Sequence, residues 1–450
     1  VLKQSSVGRK GILPTLFCHQ LLLGFALLIL TGCGITQQKV NTLSQTLKTD
    51  TPENLLVKFQ AMKPDANDQV LFDLNIGMLQ FLSQDYDAAI ETLTYAKNEM
   101  AALYATSVTE NIGAATINET MRSYTGTPTD LVMVHNILAL SYLFRDDLQG
   151  ARVEMLQADI MMKKLVKSDS NIGQLASTHV ISAIVYELSG EIDNAFISYK
   201  FAADIMQSHG LALPRGVKLA LARMSKNLGQ LDQYDKYVAE FNMDEEALDS
   251  YLASTMSNVF VLYFDDLVIH KRQRSVMANH ESYDNDNDRI IRVSVPAYPP
   301  GNRIYSHAQL SAGEEVISTE QVENVDKLAK EDLSAEYPAI LLAATTRAVF
   351  KDSMVKNSEK KDSTAGVLMN IVTVLTEVAD VRSWSTLPAS IDYAYLSTEQ
   401  PLLSINAPGN QTHTIELTTG SKHVIMVTSL TDKLFHYQSM DSRPSPIPLQ

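Results

Sequence analysis

Between Asp130 and Leu165, apolar residues fall on helical spacing twice over, with Arg145-Asp146-Asp147 between the two runs. Leu138, Ala139 and Tyr142 share one face of the first run; Ala151, Met155 and Ala158 share one face of the second. The step from Ala139 to Ala151 is twelve residues and that from Ala151 to Ala158 is seven, and the same two steps recur as Gly77, Ala89, Ala96 and as Ala183, Ala195, Ala202. Small residues repeated at fixed steps predict a stack of helical hairpins, in which paired helices approach closely wherever a small side chain faces its partner.

These steps are those of a tetratricopeptide (TPR) hairpin, and the spelling DYDAAI from Asp85 to Ile90 resembles the loop and second-helix start of a typical TPR. The first unit has Leu74, Ile76, Gly77 and Phe81 before a turn at Gln84-Asp85-Tyr86-Asp87, with Ile90 and Leu93 after it, and the third turns at Ser189-Gly190-Glu191. Asp147 and Asp193 stand near second-helix starts, where a carboxylate favours the positive end of the helix dipole. Val217 to Phe241 reads as a fourth unit with Ala222; Tyr234 and Phe241 replace small residues there, as in a degenerate terminal cap. Spacing is uneven, with 62 residues from Ala89 to Ala151 and 44 from Ala151 to Ala195, against ~34 in a regular array. The excess, about Asn98 to Thr129, is itself helix-like until Gly126 and Pro128 interrupt it.

On the TPR register a concave groove is lined by Leu71, Leu74, Met78 and Phe81, by Met133, Asn136, Leu140 and Leu143, and by Val180, Ile184 and Glu187. Such an apolar groove suits a helix or an extended peptide, and it suits the protein's own C-terminal region equally well.

Near Ser254 the pattern changes. Val259 to Phe264 is a continuous apolar run rich in β-formers that Asp265-Asp266 can turn, and Ile291, Val293 and Val295 alternate with polar neighbours. Helices are expected over 322–333, over 338–356 with Pro338 in the first turn, and over 365–379. Segments 413–418 and 423–428 read as a closing hairpin around Thr419-Gly420-Ser421-Lys422. The fold class is α+β: a TPR-like helical domain over 51–250, a smaller mixed α/β domain over 251–437, and a Pro-rich disordered tail over 438–450.

Ahead of the helices, Lys3, Arg9 and Lys10 precede an apolar stretch over 21–30 that is too short for an ordinary membrane span. It ends in Leu30-Thr31-Gly32-Cys33, which resembles the lipobox of bacterial lipoprotein precursors. Residues 1–32 are then a signal peptide, Cys33 is the lipidated residue, carrying chains such as palmitate, and 33–50 holds that cysteine and a polar tether. One acyl chain binds a bilayer marginally and further chains hold it stably, at about 0.8 kcal/mol per buried CH₂. Gly34 stands where an inner-membrane retention signal places Asp, so the expected destination is the periplasmic face of the outer membrane.

Removing the signal takes away three basic and no acidic residues, which moves the net charge from −15 to −18. An acidic surface of that kind repels nucleic acid and anionic headgroups. Cys18 leaves with the signal and Cys33 is consumed by lipid, so no thiol remains for a disulfide, a metal or nucleophilic catalysis. No GxSxG, HExxH, P-loop or dinucleotide fingerprint occurs, and no catalytic residue, metal or cofactor is expected.

The lipobox, the segment LVMVHNILALSYLFRDDLQGARVEMLQAD and the string ADVRSWSTLPASIDYAYL over 379–396 together resemble an uncharacterised family of bacterial TPR-containing outer-membrane lipoproteins, over most of the mature chain. The resemblance implies architecture and envelope location, and no biochemical activity. Genes of that family lie near one for a lipoprotein activator of penicillin-binding proteins, an association with cell-wall synthesis. The expected function is a non-catalytic protein–protein interaction scaffold in cell-envelope or peptidoglycan assembly, with an envelope protein or peptide as partner. The alternatives are a cell-wall or carbohydrate-active enzyme, which needs clustered carboxylates in a cleft, and a structural subunit of an envelope assembly.

Several side chains invite chemistry and meet a plainer account. Asp284, Asp286 and Asp288 have the alternate-oxygen spacing that opens a calcium loop, but Arg289 and Val295 stand where such a loop wants Gly and Glu, so a solvated turn is preferred. His135 and His179 share one place in successive units, where a first helix puts a large packing side chain, and are expected in the core rather than as a ligand pair. Tyr142 and Tyr186 are expected to pack. Trp384, the lone tryptophan, is expected to cover the sheet beside Ser383, with Arg382 paired to an acid, in preference to anchoring a partner.

Overall fold

The computed structural model describes residues 33–109, 122–166, 171–244, 248, 256–280, 289–359 and 378–440. Residues 1–32, expected as a signal peptide, the Asp284 to Asp288 run, residues 441–450 and all but the last two residues of the helix expected over 365–379 lie outside the described residues.

The helical part runs through α1 (Cys33–Gln45) and α2 (Pro52–Gln60) into four hairpins: α3 (Gln69–Leu82) with α4 (Tyr86–Thr109), α5 (Pro128–Phe144) with α6 (Leu148–Leu165), α7 (Ala176–Leu188) with α8 (Ile192–Ser208), and α9 (Arg215–Asn227) with α10 (Leu231–Phe241). The repeated small residues are the contact points. Gly77, Ala89, Ala96, Ala139, Ala151, Ala158, Ala183, Ala195 and Ala202 are all buried, and a Cβ on Gly77 would run into the Leu93 side chain across the first hairpin.

All four hairpins turn alike. Gln84, Asp146, Gly190 and Gly229 each take a left-handed φ, of 66°, 69°, 74° and 68°. The next residue's N–H then reaches back to the carbonyl five residues earlier, as from Asp147 to Tyr142 at 2.8 Å and from Gln230 to Ser225 at 2.9 Å. That bond satisfies a helix-end carbonyl that would otherwise lack a partner.

The segment 33–50, expected as a tether, is helical to Gln45 and lies against the fold. Val40, Ser44 and Leu47 recur at helical spacing on one buried face, and Ser44 Oγ is 2.6 Å from Ser385 Oγ. The stretch is poor in apolar residues, but spacing rather than number decides whether a helix can dock.

The remainder comprises β1 (Ser257–Leu267), β2 (Arg272–His280), β3 (Arg289–Ala297), β4 (Gln309–Ala312), β5 (Glu315–Ser318), β6 (Glu320–Asn324), α11 (Val325–Glu359), β7 (Pro388–Thr398), β8 (Leu402–Asn406), β9 (His413–Glu416), β10 (Ser421–Thr428) and β11 (Thr431–Met440). Strands order as β11-β10-β1-β7-β6 in one sheet and β5-β4-β8-β9 in a second, with β2-β3 as a separate hairpin. The five-stranded sheet is buried on both faces. Phe260, Leu262, Phe264, Tyr393, Tyr395, Val424 and Met426 join the core of the helical part, while Val259, Val261, Tyr263, Ala394, Leu396, Ile425 and Val427 form a second core with Leu310, Leu403 and Ile405 of the smaller sheet. Alternate residues of β1 point into different cores, which is why that strand reads as a continuous apolar run.

Two expected features fall differently. The helices over 322–333 and 338–356 are one, α11, with Pro338 inside it; Pro338 and Ser334 are both exposed, so water can take up the carbonyl that the missing N–H leaves unpaired. The closing hairpin over 413–418 and 423–428 is split between sheets: β9 pairs with β8, whereas β10 pairs in parallel with β1 and antiparallel with β11. Gly420, at a φ of 72°, lies between the two sheets. The tight hairpin is β10–β11, and it carries regular structure to Met440, past the boundary expected at 438.

Candidate functional site

None of the eleven residues expected to line the groove, Leu71 to Phe81, Met133 to Leu143 and Val180 to Glu187, is more than 1% exposed. As an open peptide groove this face is closed, because the five-stranded sheet lies in it. Phe435 of β11 stacks on Phe81 with ring centroids 5.2 Å apart and sits 5.6 Å from Phe144 and 6.5 Å from Tyr86. Asn75 accepts hydrogen bonds from Ser385 at 3.2 Å and from Thr386 at 3.1 Å. Glu187 is fully engaged: Arg223 donates to both of its oxygens at 2.8 and 2.9 Å, and Tyr199 OH donates at 2.9 Å. The Arg223 guanidinium in turn lies 4.8 Å from the Tyr395 ring centroid, against the sheet.

Carboxylates from the C-terminal part complete helix ends in the N-terminal part. The backbone N–H of Thr129, in the first turn of α5, donates to Asp332 at 3.0 Å; that of Ser177, in α7, donates to Glu323 at 3.1 Å; that of Arg215, in α9, donates to Glu320 at 2.6 Å. Leu175 and Pro214, which precede α7 and α9, make no side-chain cap of their own, so an acceptor must come from elsewhere. Burial pushes the Glu323 and Asp332 carboxyls up to about 7, despite the hydrogen bonds from Ser177 and Thr129 that favour the ionised forms. The sequence offered one sign of these contacts: two helices that begin without a capping side chain.

The remaining candidates are structural. Arg382 is buried, bonded to Asp380 at 2.7 Å, to Asp68 at 3.0 Å and to the Arg122 carbonyl at 2.8 Å. Trp384 is 1% exposed and donates to Thr386 Oγ1 at 3.1 Å, so it offers no surface to a partner, and Ser383 is buried beside it. His135 bonds Glu154 at 2.8 Å, with Lys97 on the other carboxylate oxygen at 2.7 Å. His179 packs 5.3 Å from the Phe201 ring, and burial pushes its imidazole down to about 4. Tyr186 is buried, and Tyr142 is half-buried with the Arg145 guanidinium 5.1 Å from its ring centroid.

Two open features were not anticipated. On the second helices of the first three hairpins, Tyr95, Val153, Leu156, Ile160, Ile197 and Phe201 are between 39% and 53% exposed. Val153, Leu156 and Ile160 share one face of α6, at steps of three and four. Ion pairs link these helices, Lys97 to Glu154 between α4 and α6, and Arg152 to Glu191 at the start of α8. Separately, the half-exposed His307 is held through Nδ1 by the buried Asp392 at 2.6 Å, and Thr319 Oγ1 also donates to that carboxylate, at 3.0 Å. Burial raises the Asp392 carboxyl and His307 opposes the rise. This is the geometry of a positioned base, but among the described residues no hydroxyl is bonded to His307 Nε2. Nor, among those residues, do three acidic, histidine or cysteine side chains gather as for a metal ion, and no helix is long and apolar enough to cross a membrane.

No protein-family model and no curated protein matches the chain. Among solved structures, MamA MSR-1 C2 is similar at 14% sequence identity and a TM-score of 0.27, over 47% of this chain and 95% of that one. A likeness at that score bears on neither mechanism nor partner.

Proposed function

We propose that this chain is a lipid-anchored protein of the bacterial envelope, held through Cys33 at the periplasmic face of the outer membrane, and that its TPR-like hairpins form a non-catalytic scaffold for an envelope protein. The lipobox from Leu30 to Cys33 supports the anchor, and the small-residue repeat supports the hairpin type. The observation that carries the scaffold is the outward face of the second helices. With the groove filled by the chain's own sheet, Val153, Leu156 and Ile160 on α6, beside Ile197 and Phe201 on α8, are apolar side chains about half exposed where a scaffold would receive its partner. Cell-envelope or peptidoglycan assembly is the process this fits.

The test is photo-crosslinking in intact envelopes from position 153, in wild type and in Leu156→Lys with Ile160→Lys. Both residues point to solvent, so the double variant should melt as wild type does and lose its specific crosslinks. Unchanged crosslinks would remove this face from the scaffold. Palmitate labelling of wild type and Cys33→Ala checks the anchor, and equal incorporation into both would rule it out.

A further inference from the structure

A cleft opens where the start of α11 meets the loop Pro299-Pro300-Gly301-Asn302. Its two compartments share that loop and Lys330. The first, of about 660 Å³, is the more polar of the two, with Arg303, Tyr305, Gln321, Asn324, Asp326 and Lys327 in its wall. The second, of about 590 Å³, is lined by Tyr298, Leu333, Tyr337 and Pro338.

The first compartment is a cationic spot on an acidic protein: three cations and one carboxylate line it, while the chain carries −15. Arg303 is committed to Asp266 at 3.1 Å and to the Leu267 carbonyl at 2.6 Å, with Asp326 3.5 Å away. The two lysines are bonded to carbonyls, and Lys330 also attracts the Asp326 carboxylate. Lys330 donates to the Gly301 carbonyl at 3.2 Å and Lys327 to the His209 carbonyl at 2.6 Å, with Glu331 3.8 Å from Lys327. A carbonyl orients an ammonium without neutralising it, and each ammonium keeps further donors.

The rest of the polar wall consists of amides and a phenol. Asn302, Asn324 and Gln321 offer both donors and acceptors, which match the N–H and C=O groups of a peptide backbone. A phosphate headgroup would use only the donors. We propose that the cleft binds an extended acidic peptide, with a carboxylate between Lys327 and Lys330 and a neighbouring apolar side chain against Tyr298 and Tyr337. The class of partner rests on the scaffold reading; the cleft itself does not.

The probe is a fluorescein-labelled acetyl-Glu-Glu-Leu-Tyr-amide, titrated with the full chain and followed by anisotropy, against the same peptide with Gln for Glu. The acidic probe should bind more tightly at low salt than at high salt, and the neutral one more weakly by roughly tenfold or more, the loss typical of a charge-assisted contact. Lys330→Gln, whose amide can still donate to the Gly301 carbonyl, and Lys327→Gln should each weaken the acidic probe to a similar degree with an unchanged melting temperature. Equal binding of the two probes, absence of binding, or indifference to both lysine variants overturns the proposal. Phosphatidylglycerol vesicles that bind through Lys330 while the peptide does not would overturn the peptide as occupant. A wild type without specific crosslinks from position 153 would sink the scaffold and leave the cleft standing, whereas the peptide titration decides the cleft by itself.

Discussion

Phe435 occupies the place in the helical groove that a partner's anchoring side chain would take, so Phe435→Ala measures how firmly the chain fills its own site. The ring is fully buried and lies within 6.5 Å, centroid to centroid, of Phe81, Tyr86 and Phe144. Deleting a buried Phe side chain costs about 3–5 kcal/mol, and lost aromatic pairs add about 0.5–1.5 kcal/mol each beyond area, which puts this site at the upper end. With a urea m-value of about 3 kcal/mol/M or more for a chain of this size, the midpoint should fall by about 1–1.5 M. Trp384 supplies the readout, because it is the lone tryptophan and is buried where Ser385 and Thr386 meet Asn75. Its fluorescence reports the sheet leaving the helices, and far-ultraviolet circular dichroism reports the helices themselves. One core cluster contains both the helices and the inner sheet face, so the two signals should move together. A midpoint within about 0.3 M of wild type at unchanged slope, or a tryptophan transition well ahead of the helical one, would refute the claim that the groove is stably filled.

Two further predictions concern the same packing. Glu323 and Asp332 have carboxyls raised to about 7 from ordinary values of 4.5 and 3.8. A carboxyl raised in the folded state contributes stability below its unfolded pKa and loses it as pH rises through the folded one. Glu323→Gln should therefore flatten stability between about pH 4.5 and 7 by about 3 kcal/mol relative to wild type, and identical pH profiles would show that Glu323 stays ionised. Ala151→Leu and Ala195→Leu should each cost about 1–3 kcal/mol by overpacking a fully closed helix contact; an unchanged denaturation midpoint and slope would place that alanine at the surface.

The hairpins were legible because their cause is local. Gly77, Ala89, Ala96 and their counterparts mark contacts between helices adjacent in the chain, and a one-dimensional pattern records such contacts directly. The docking of the sheet was legible only as one of two occupants of an apolar groove, because nothing in a helix's own sequence says what covers it. The caps from Glu320, Glu323 and Asp332 join residues 105 to 203 positions apart, and no periodicity spans such distances. The split of the expected 413–428 hairpin has the same origin. Both segments read as strands, but β10 takes β1 as a partner from more than 150 residues upstream, since Asn258 is opposite Lys422. The string around Arg382 and Trp384 meets a buried surface built from distant parts of the chain.

The position of β11 has a consequence for how the molecule is made. Helical hairpins close within a few dozen residues and can form while the rest of the chain is still being synthesised, whereas β1 waits for both β7 and β10 before its ladders are complete. Phe435 arrives later still. For most of the time between synthesis of the last hairpin and synthesis of Thr431 to Met440, the face containing Phe81 and Phe144 therefore lacks its cover. A nascent chain in that interval presents a sticky hydrophobic surface, of the kind that misassembles or recruits chaperones. Maturation of this protein should therefore depend more on keeping that uncovered face from other apolar surfaces than on helping any single element to fold.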